Sequence, residues 1–113
     1  KMKIYISDIS IPSRFVVQVA THAKAEHQLV FPDCKTRENK TEEYLMKHPM
    51  GKVPVMEDGD FTLFESISIA RYILDSKMPE NTIYPSDFKK RAQIDQFLGL
   101  LTEYRLGVGV SAQ

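Results

Sequence analysis

The sequence predicts an α/β domain with a mixed four-stranded sheet and helices on its faces. The order is β-α-β and then α-β-β-α, with one further helix leading away. Three observations predict it. "MKIYIS" (Met2 to Ser7) alternates apolar and polar residues and runs into a proline-started helical stripe, the opening of a β-α-β unit. "KVPVME" (Lys52 to Glu57) and "DFTLF" (Asp60 to Phe64) flank Asp58-Gly59, a strong hairpin signal. From about Ser66 to Lys77, Ile69, Ala70, Ile73 and Leu74 then recur at helical spacing.

The first strand places Met2, Ile4 and Ile6 on one face. Pro12 suits the first turn of the helix that follows, where its missing N–H costs nothing. Phe15, Val16, Val19, Ala20 and Ala23 form the apolar stripe of that helix. "QLVF" (Gln28 to Phe31) reads as the second strand, ended by Pro32, and residues 33–41 as a polar loop. Thr41 can cap a short helix, with Glu42 and Glu43 in the first turn, where the helix dipole favours acids. That helix ends before Pro49. Pro54 is unsuited to the middle of a central strand; it fits if the strand starts there after a cis Val53–Pro54 peptide. A last helix begins near Ser86 or Asp87 and carries Phe88, Ala92, Phe97, Leu98 and Leu101, whereas "GVGVSAQ" at the end has no helical signal. The β-α-β unit implies a parallel strand pair and the hairpin adds antiparallel strands. This is the thioredoxin-like arrangement.

Composition narrows the function. The 113 residues include 15 Lys plus Arg and 15 Asp plus Glu, so the formal net charge is zero. No basic footprint points to nucleic acid or an anionic membrane surface. No apolar run approaches the ~18 residues of a membrane span. The charged first residues lead straight into a strand, so no signal peptide is expected, and a start at Lys1 suggests a trimmed terminus. Cys34 is the single cysteine, which leaves no internal disulfide and no C-x-x-C, and fits a reducing compartment. His22, His27 and His48 lack metal-ligand spacing and read as surface or packing residues; no metal is expected.

The stretch "HPMGKVPVMEDGDFTLFESISIARYIL" (His48 to Leu74) resembles the glutathione-binding core of cytosolic glutathione transferases. "YPSDFKKRAQIDQFL" (Tyr84 to Leu98) resembles the linker and first helix of their second domain. "ISIPSRFV" resembles their serine-type active-site turn, closest to the theta class in the spacing of Ser10, Arg14 and Val16. The resemblance implies three parts: a thioredoxin-like glutathione-binding domain over residues 1–78, a linker over 79–86, and the start of a truncated all-helical domain over 87–113. It implies a cytoplasmic, detoxifying transferase that joins glutathione to a small electrophile. Glutathione is then a cosubstrate, no cofactor is needed, and the protein is a homodimer. A chain that stops after one helix of the second domain would lack most of the electrophile pocket, and low turnover is expected of it alone. A non-catalytic binding or protein-interaction module of the same family is the alternative.

The residues themselves fit this chemistry. Glu65 and Ser66 stand where a strand meets a helix. A helix N-terminus offers free N–H groups to a carboxylate, Ser66 adds a hydroxyl, and Glu65 can take an ammonium. Taken alone, Ser66 would read as a helix cap. Val53 can pair its backbone with a peptide-like ligand as one more strand would, with Pro54 setting the turn. Lys52 can reach a carboxylate. The resemblance assigns Asn39 and Lys40 to the glycine end of glutathione, and gives Asp95 an approach to glutathione in the neighbouring subunit. Ser10 and Ser13 stand in an S-x-x-S spacing, which excludes dithiol chemistry because oxygens form no disulfide. A hydroxyl aimed at a bound thiol favours its thiolate, so Ser10 is expected to act as a donor, with Ser13 and Tyr5 as the other candidates.

Overall fold

The computed structural model describes the backbone of residues 2–112 and the side chains of residues 2–100. Four strands and four helices follow in order: β1 (Met2–Tyr5), α1 (Ile11–His22), β2 (His27–Val30), α2 (Glu42–Leu45), β3 (Val55–Asp58), β4 (Phe61–Phe64), α3 (Ser66–Lys77) and α4 (Phe88–Ala112). A 3-10 turn, Glu38–Lys40, precedes α2. The sheet order is β2-β1-β3-β4. β1 pairs parallel with β2, and the β1–β3 and β3–β4 pairs are antiparallel. This is the mixed, thioredoxin-like sheet that the sequence predicts.

Strand alternation separates the two faces. Met2 and Ile4 of β1 and Met56 of β3 point into one core, where α1 brings Val16 and Ala20 and α3 brings Ile69 and Ile73. Burying an aliphatic side chain of this kind contributes about 1.5–3 kcal/mol, and these residues dominate that layer. Tyr5 points to the other face, edge-on to Tyr44 of α2 with ring centroids 5.9 Å apart. There its hydroxyl donates to Glu57 at 2.8 Å, and Lys47 pairs with Glu57 at 2.6 Å. Thr41 caps α2 as the sequence suggests, its Oγ1 accepting the Tyr44 N–H.

Local differences have local causes. β3 starts at Val55 rather than Lys52, because Pro54 has no N–H for a ladder. β1 ends at Tyr5, and β2 is displaced one residue towards the N-terminus from the expected span. The hairpin loop is Gly59-Asp60 rather than Asp58-Gly59, with Gly59 at φ +65 in the first turn position. Ser13 takes a buried place on α1, whereas Phe15 of the apolar stripe is 38% exposed. The helical backbone of α4 continues to Ala112, through most of a segment read as having no helical signal. Gly107 and Gly109 each weaken a helix by about 1 kcal/mol, but extending a formed helix needs no new nucleus. The side chain of Leu101, read as part of the α4 stripe, lies outside the described residues.

The chain divides into two compact units, Lys1–Pro79 and Glu80–Gln113. In the second, Asp87 starts α4 by accepting the Lys90 N–H at 3.0 Å. The Arg91 guanidinium lies over the Tyr84 ring, 4.1 Å from its centroid.

Candidate functional site

Strand register gathers most of the candidate residues. Tyr5 aligns with Val30 and Val55, and Val55 with Phe64. One rim of the sheet therefore emits four segments: the chain after β1, the chain after β2, the approach to β3 and the exit from β4. Ser10, Asn39, Lys40, Lys52, Val53, Pro54, Glu65 and Ser66 all belong to these segments. Asp95 does not; it lies in the second unit, where its Oδ1 accepts the Tyr84 hydroxyl at 2.9 Å.

Ser10 is the N-cap of α1. Its Oγ accepts the Ser13 N–H at 3.2 Å and its carbonyl accepts the Arg14 N–H at 3.1 Å. A hydroxyl that accepts still has its hydrogen to donate. Ser13 is fully buried, and its Oγ accepts the Ser7 N–H at 3.3 Å. The Tyr5 hydroxyl is engaged on the α2 face by Glu57; burial and that carboxylate push it above the ordinary phenol range. Of the three hydroxyls, Ser10 alone combines partial exposure with the N-terminal end of a helix.

Two turns are pinned together beside it. His48-Pro49-Met50-Gly51 closes through a Gly51 N–H to His48 carbonyl bond of 2.9 Å, with Gly51 at φ +64. The Asn39 Nδ2 donates to the Gly51 carbonyl at 2.8 Å, and the Lys40 Nζ to the Met50 carbonyl at 2.9 Å. In this state Asn39 and Lys40 brace the turn that leads into Lys52 and Val53. The Tyr44 hydroxyl adds a 2.7 Å bond to the Lys52 carbonyl. Burial, assisted by Cys34 and Tyr5, raises that phenol far above its ordinary range, so it remains a donor. The Val53–Pro54 peptide is cis, as the sequence suggests. Among the described residues, no hydrogen bond takes up the Val53 N–H or carbonyl.

Glu65 is the N-cap of α3 at φ +79 and ψ 114, a backbone state that L-residues avoid, and its side chain makes no cap bond. No acid stands in the first turn of α3. Strain of this kind costs about 1–3 kcal/mol and collects at functional sites. The helix thus presents its first N–H groups without an internal carboxylate or hydroxyl cap. His48 feels the charges of Glu65, Lys52 and Lys40, which places all three in one electrostatic neighbourhood.

Sequence reasoning missed the parts played by Gly51, Tyr44 and His48. The first had a signal: Pro at the second and Gly at the fourth position mark a type I turn. The other two act through tertiary contacts that no local pattern encodes. Among the described residues no group of acids, histidines and cysteine could hold a metal, and no helix is long and apolar enough to cross a membrane.

A family model described as the glutathione S-transferase N-terminal domain matches residues 5–75. The chain belongs to the glutathione S-transferase family. It is 35% identical over 97 residues to the probable glutathione S-transferase GSTF2 of Oryza sativa subsp. japonica, covering 86% of this chain and 45% of that one. It is 32% identical over 98 residues to glutathione S-transferase theta-1 of Rattus norvegicus, covering 86% and 40%. Among solved structures it resembles a glutathione transferase homolog of Drosophila mojavensis with bound glutathione. The TM-score is 0.80 at 31% identity, over 85% of this chain and 44% of that one. The chain spans less than half the length of these glutathione transferases.

Proposed function

We propose that this chain binds glutathione along the described rim and activates its thiol for transfer to a small electrophile. The observation that carries this is the N-terminus of α3: an uncapped helix start, entered through a strained Glu65, on the rim shared with Val53. The γ-glutamyl carboxylate meets the first N–H groups of α3 and the Ser66 hydroxyl, and its ammonium meets Glu65. The cysteinyl part pairs with the backbone of Val53 beside Pro54. Lys52, Lys40 and Asn39 face the glycine end, the last two chiefly by holding the turn. The bound glutathione of the Drosophila mojavensis homolog supports the ligand class.

The free thiol has a pKa of about 8.5, so only a few per cent is thiolate at neutral pH. Ser10 donates its O–H to the sulfur, and the N-terminal dipole of α1 favours the same charge. The thiolate then attacks the electrophile. In a displacement an S–C bond forms, the bond to the leaving group breaks, and the thiol proton has already passed to solvent. Ser10 is a donor throughout and takes no proton. Glutathione is consumed as a cosubstrate and no resident cofactor is required. We assign residues 87–113 to the start of an all-helical domain, the protein to the cytoplasm, and its assembly to a homodimer in which Asp95 approaches the partner's ligand.

Calorimetry of glutathione binding to wild type and Ser66→Ala tests the reading. The variant should lose about 1.5–3 kcal/mol of affinity, the range for a hydrogen bond to a charged group. Unchanged affinity would remove the γ-glutamyl assignment.

A further inference from the structure

From sequence His48 reads as a surface or packing residue, but its surroundings point to more. The residue is only 6% exposed, and its ring lies against Phe64, the last residue of β4, with centroids 4.4 Å apart. Its Nδ1 accepts the Met50 N–H at 3.1 Å, and its carbonyl accepts the Gly51 N–H at 2.9 Å. One residue therefore ties two segments of the rim. The 48–51 turn runs into Lys52 and Val53, and the end of β4 runs into Glu65. An imidazole accepts at Nδ1 only while that nitrogen carries no proton.

We propose that His48 is a positioning residue for the ligand site. Unprotonated, it latches the turn carrying Lys52 and Val53 to the strand end carrying Glu65; protonation at Nδ1 releases the turn and weakens ligand binding. The inference rests on reading this rim as a glutathione site. Three charged groups act on the ring through space: Glu65 at the start of α3, Lys52 after the turn and Lys40 from the 3-10 segment. Burial is the largest influence and lowers the proton affinity of His48; Glu65 opposes it, while Lys52 and Lys40 reinforce it. The folded value therefore lies below the ordinary ~6.5. The closed latch is fully present above that pH and is lost as pH falls through the folded value. The protonated ring also becomes a cation beside Glu65, in competition with the ligand's ammonium.

The test uses S-methylglutathione, whose thioether has no thiol proton to lose. Calorimetry from pH 7 down through the His48 titration, located by NMR of its ring protons, should show wild-type affinity falling by about fivefold, the factor corresponding to one ordinary hydrogen bond. His48→Asn should flatten this limb, because the Asn Oδ1 takes the place of Nδ1 and does not titrate. His22→Asn should leave the limb unchanged. A flat wild-type profile, or a limb that survives in His48→Asn, overturns the latch. Absence of wild-type binding at every pH instead overturns the glutathione reading. In that case, or if His48→Asn does not fold, NMR titration of the ligand-free wild type decides the latch. The Met50 amide shift should follow the His48 ring protons, and a Met50 amide indifferent to that titration overturns the proposal.

Discussion

At the scale of the residue, Ser10 uses an oxygen lone pair to cap α1, which leaves its O–H able to donate elsewhere. The two uses separate experimentally. Ser10→Ala removes both, and loss of a serine cap costs about 1 kcal/mol; glycine at the same position costs only a few tenths. Both variants should raise the pKa of bound glutathione by the same amount, followed by thiolate absorbance against pH. Of the two, only Ser10→Ala should lower the urea midpoint appreciably. Ser13→Ala should lower the urea midpoint too, by a different route. It leaves the Ser7 N–H without its partner, at about 1–3 kcal/mol, and leaves the thiol pKa unmoved. Glu65 offers a third contrast. Glycine, with no Cβ, tolerates φ +79 with less strain than Glu, so Glu65→Gly should keep the thermal midpoint close to wild type while glutathione affinity falls. A drop in both would make Glu65 a structural residue.

At the scale of the element, Gly51 governs the turn on which Lys52 and Val53 depend. An added Cβ would lie 2.5 Å from the Asn39 carbonyl oxygen, at a φ that side chains rarely adopt. Gly51→Ala should therefore cost more than the ~1–2 kcal/mol of a left-handed residue alone, measured by urea unfolding, and should weaken ligand binding with it. How far such elements can be read from sequence depends on whether the deciding force is local. The span of α3 and its buried residues Ile69, Ala70, Ile73 and Leu74 were legible, because apolar spacing alone defines that face. On α1 the buried positions Ser13, Val16 and Ala20 also follow helical spacing, but a small hydroxyl carries no hydrophobic signal, whereas Phe15 carries a strong one and is 38% exposed. The sequence Asp58-Gly59-Asp60 offers two overlapping turn dipeptides, and only the strand pairing selects Gly59-Asp60. At the site, the strand-to-helix junction at Glu65 and Ser66 was legible as a motif. The pinning of the 48–51 turn by Asn39 and Lys40 was not, because it joins segments separated in sequence.

At the scale of the whole molecule, two polar clusters set the response to acid. Glu57 stands against partial burial, which works to raise its pKa, but the bonds from Lys47 and Tyr5 prevail and hold it below the ordinary carboxylate range. The Tyr72 hydroxyl, 2.6 Å from Asp58, and Lys77 at 3.3 Å lower that carboxylate as well. Groups depressed in the fold contribute stability above their unfolded values, about 4.3 for Glu and 3.9 for Asp, and lose it as pH falls through the folded ones. Urea midpoints should therefore drop between pH 5 and pH 3, and the drop should be smaller in Glu57→Gln and Asp58→Asn. In the second unit Phe88 is 89% exposed and Phe97 59%, and water contact at such surface is unfavourable by about 25 cal/mol per Å². Light scattering should accordingly report a homodimer, the commonest closed assembly; a monomer at high concentration would remove that assignment. The hairpin has a practical consequence. Its Gly59-Asp60 tip closes the β3–β4 pair at the end of the sheet away from the proposed ligand rim, and among the described residues nothing beyond its chain neighbours lies within 4 Å of where a Cβ on Gly59 would stand. That tip is a natural port for grafting: a reporter peptide spliced there should leave glutathione affinity intact, whereas the same insert in the 48–51 turn should abolish it.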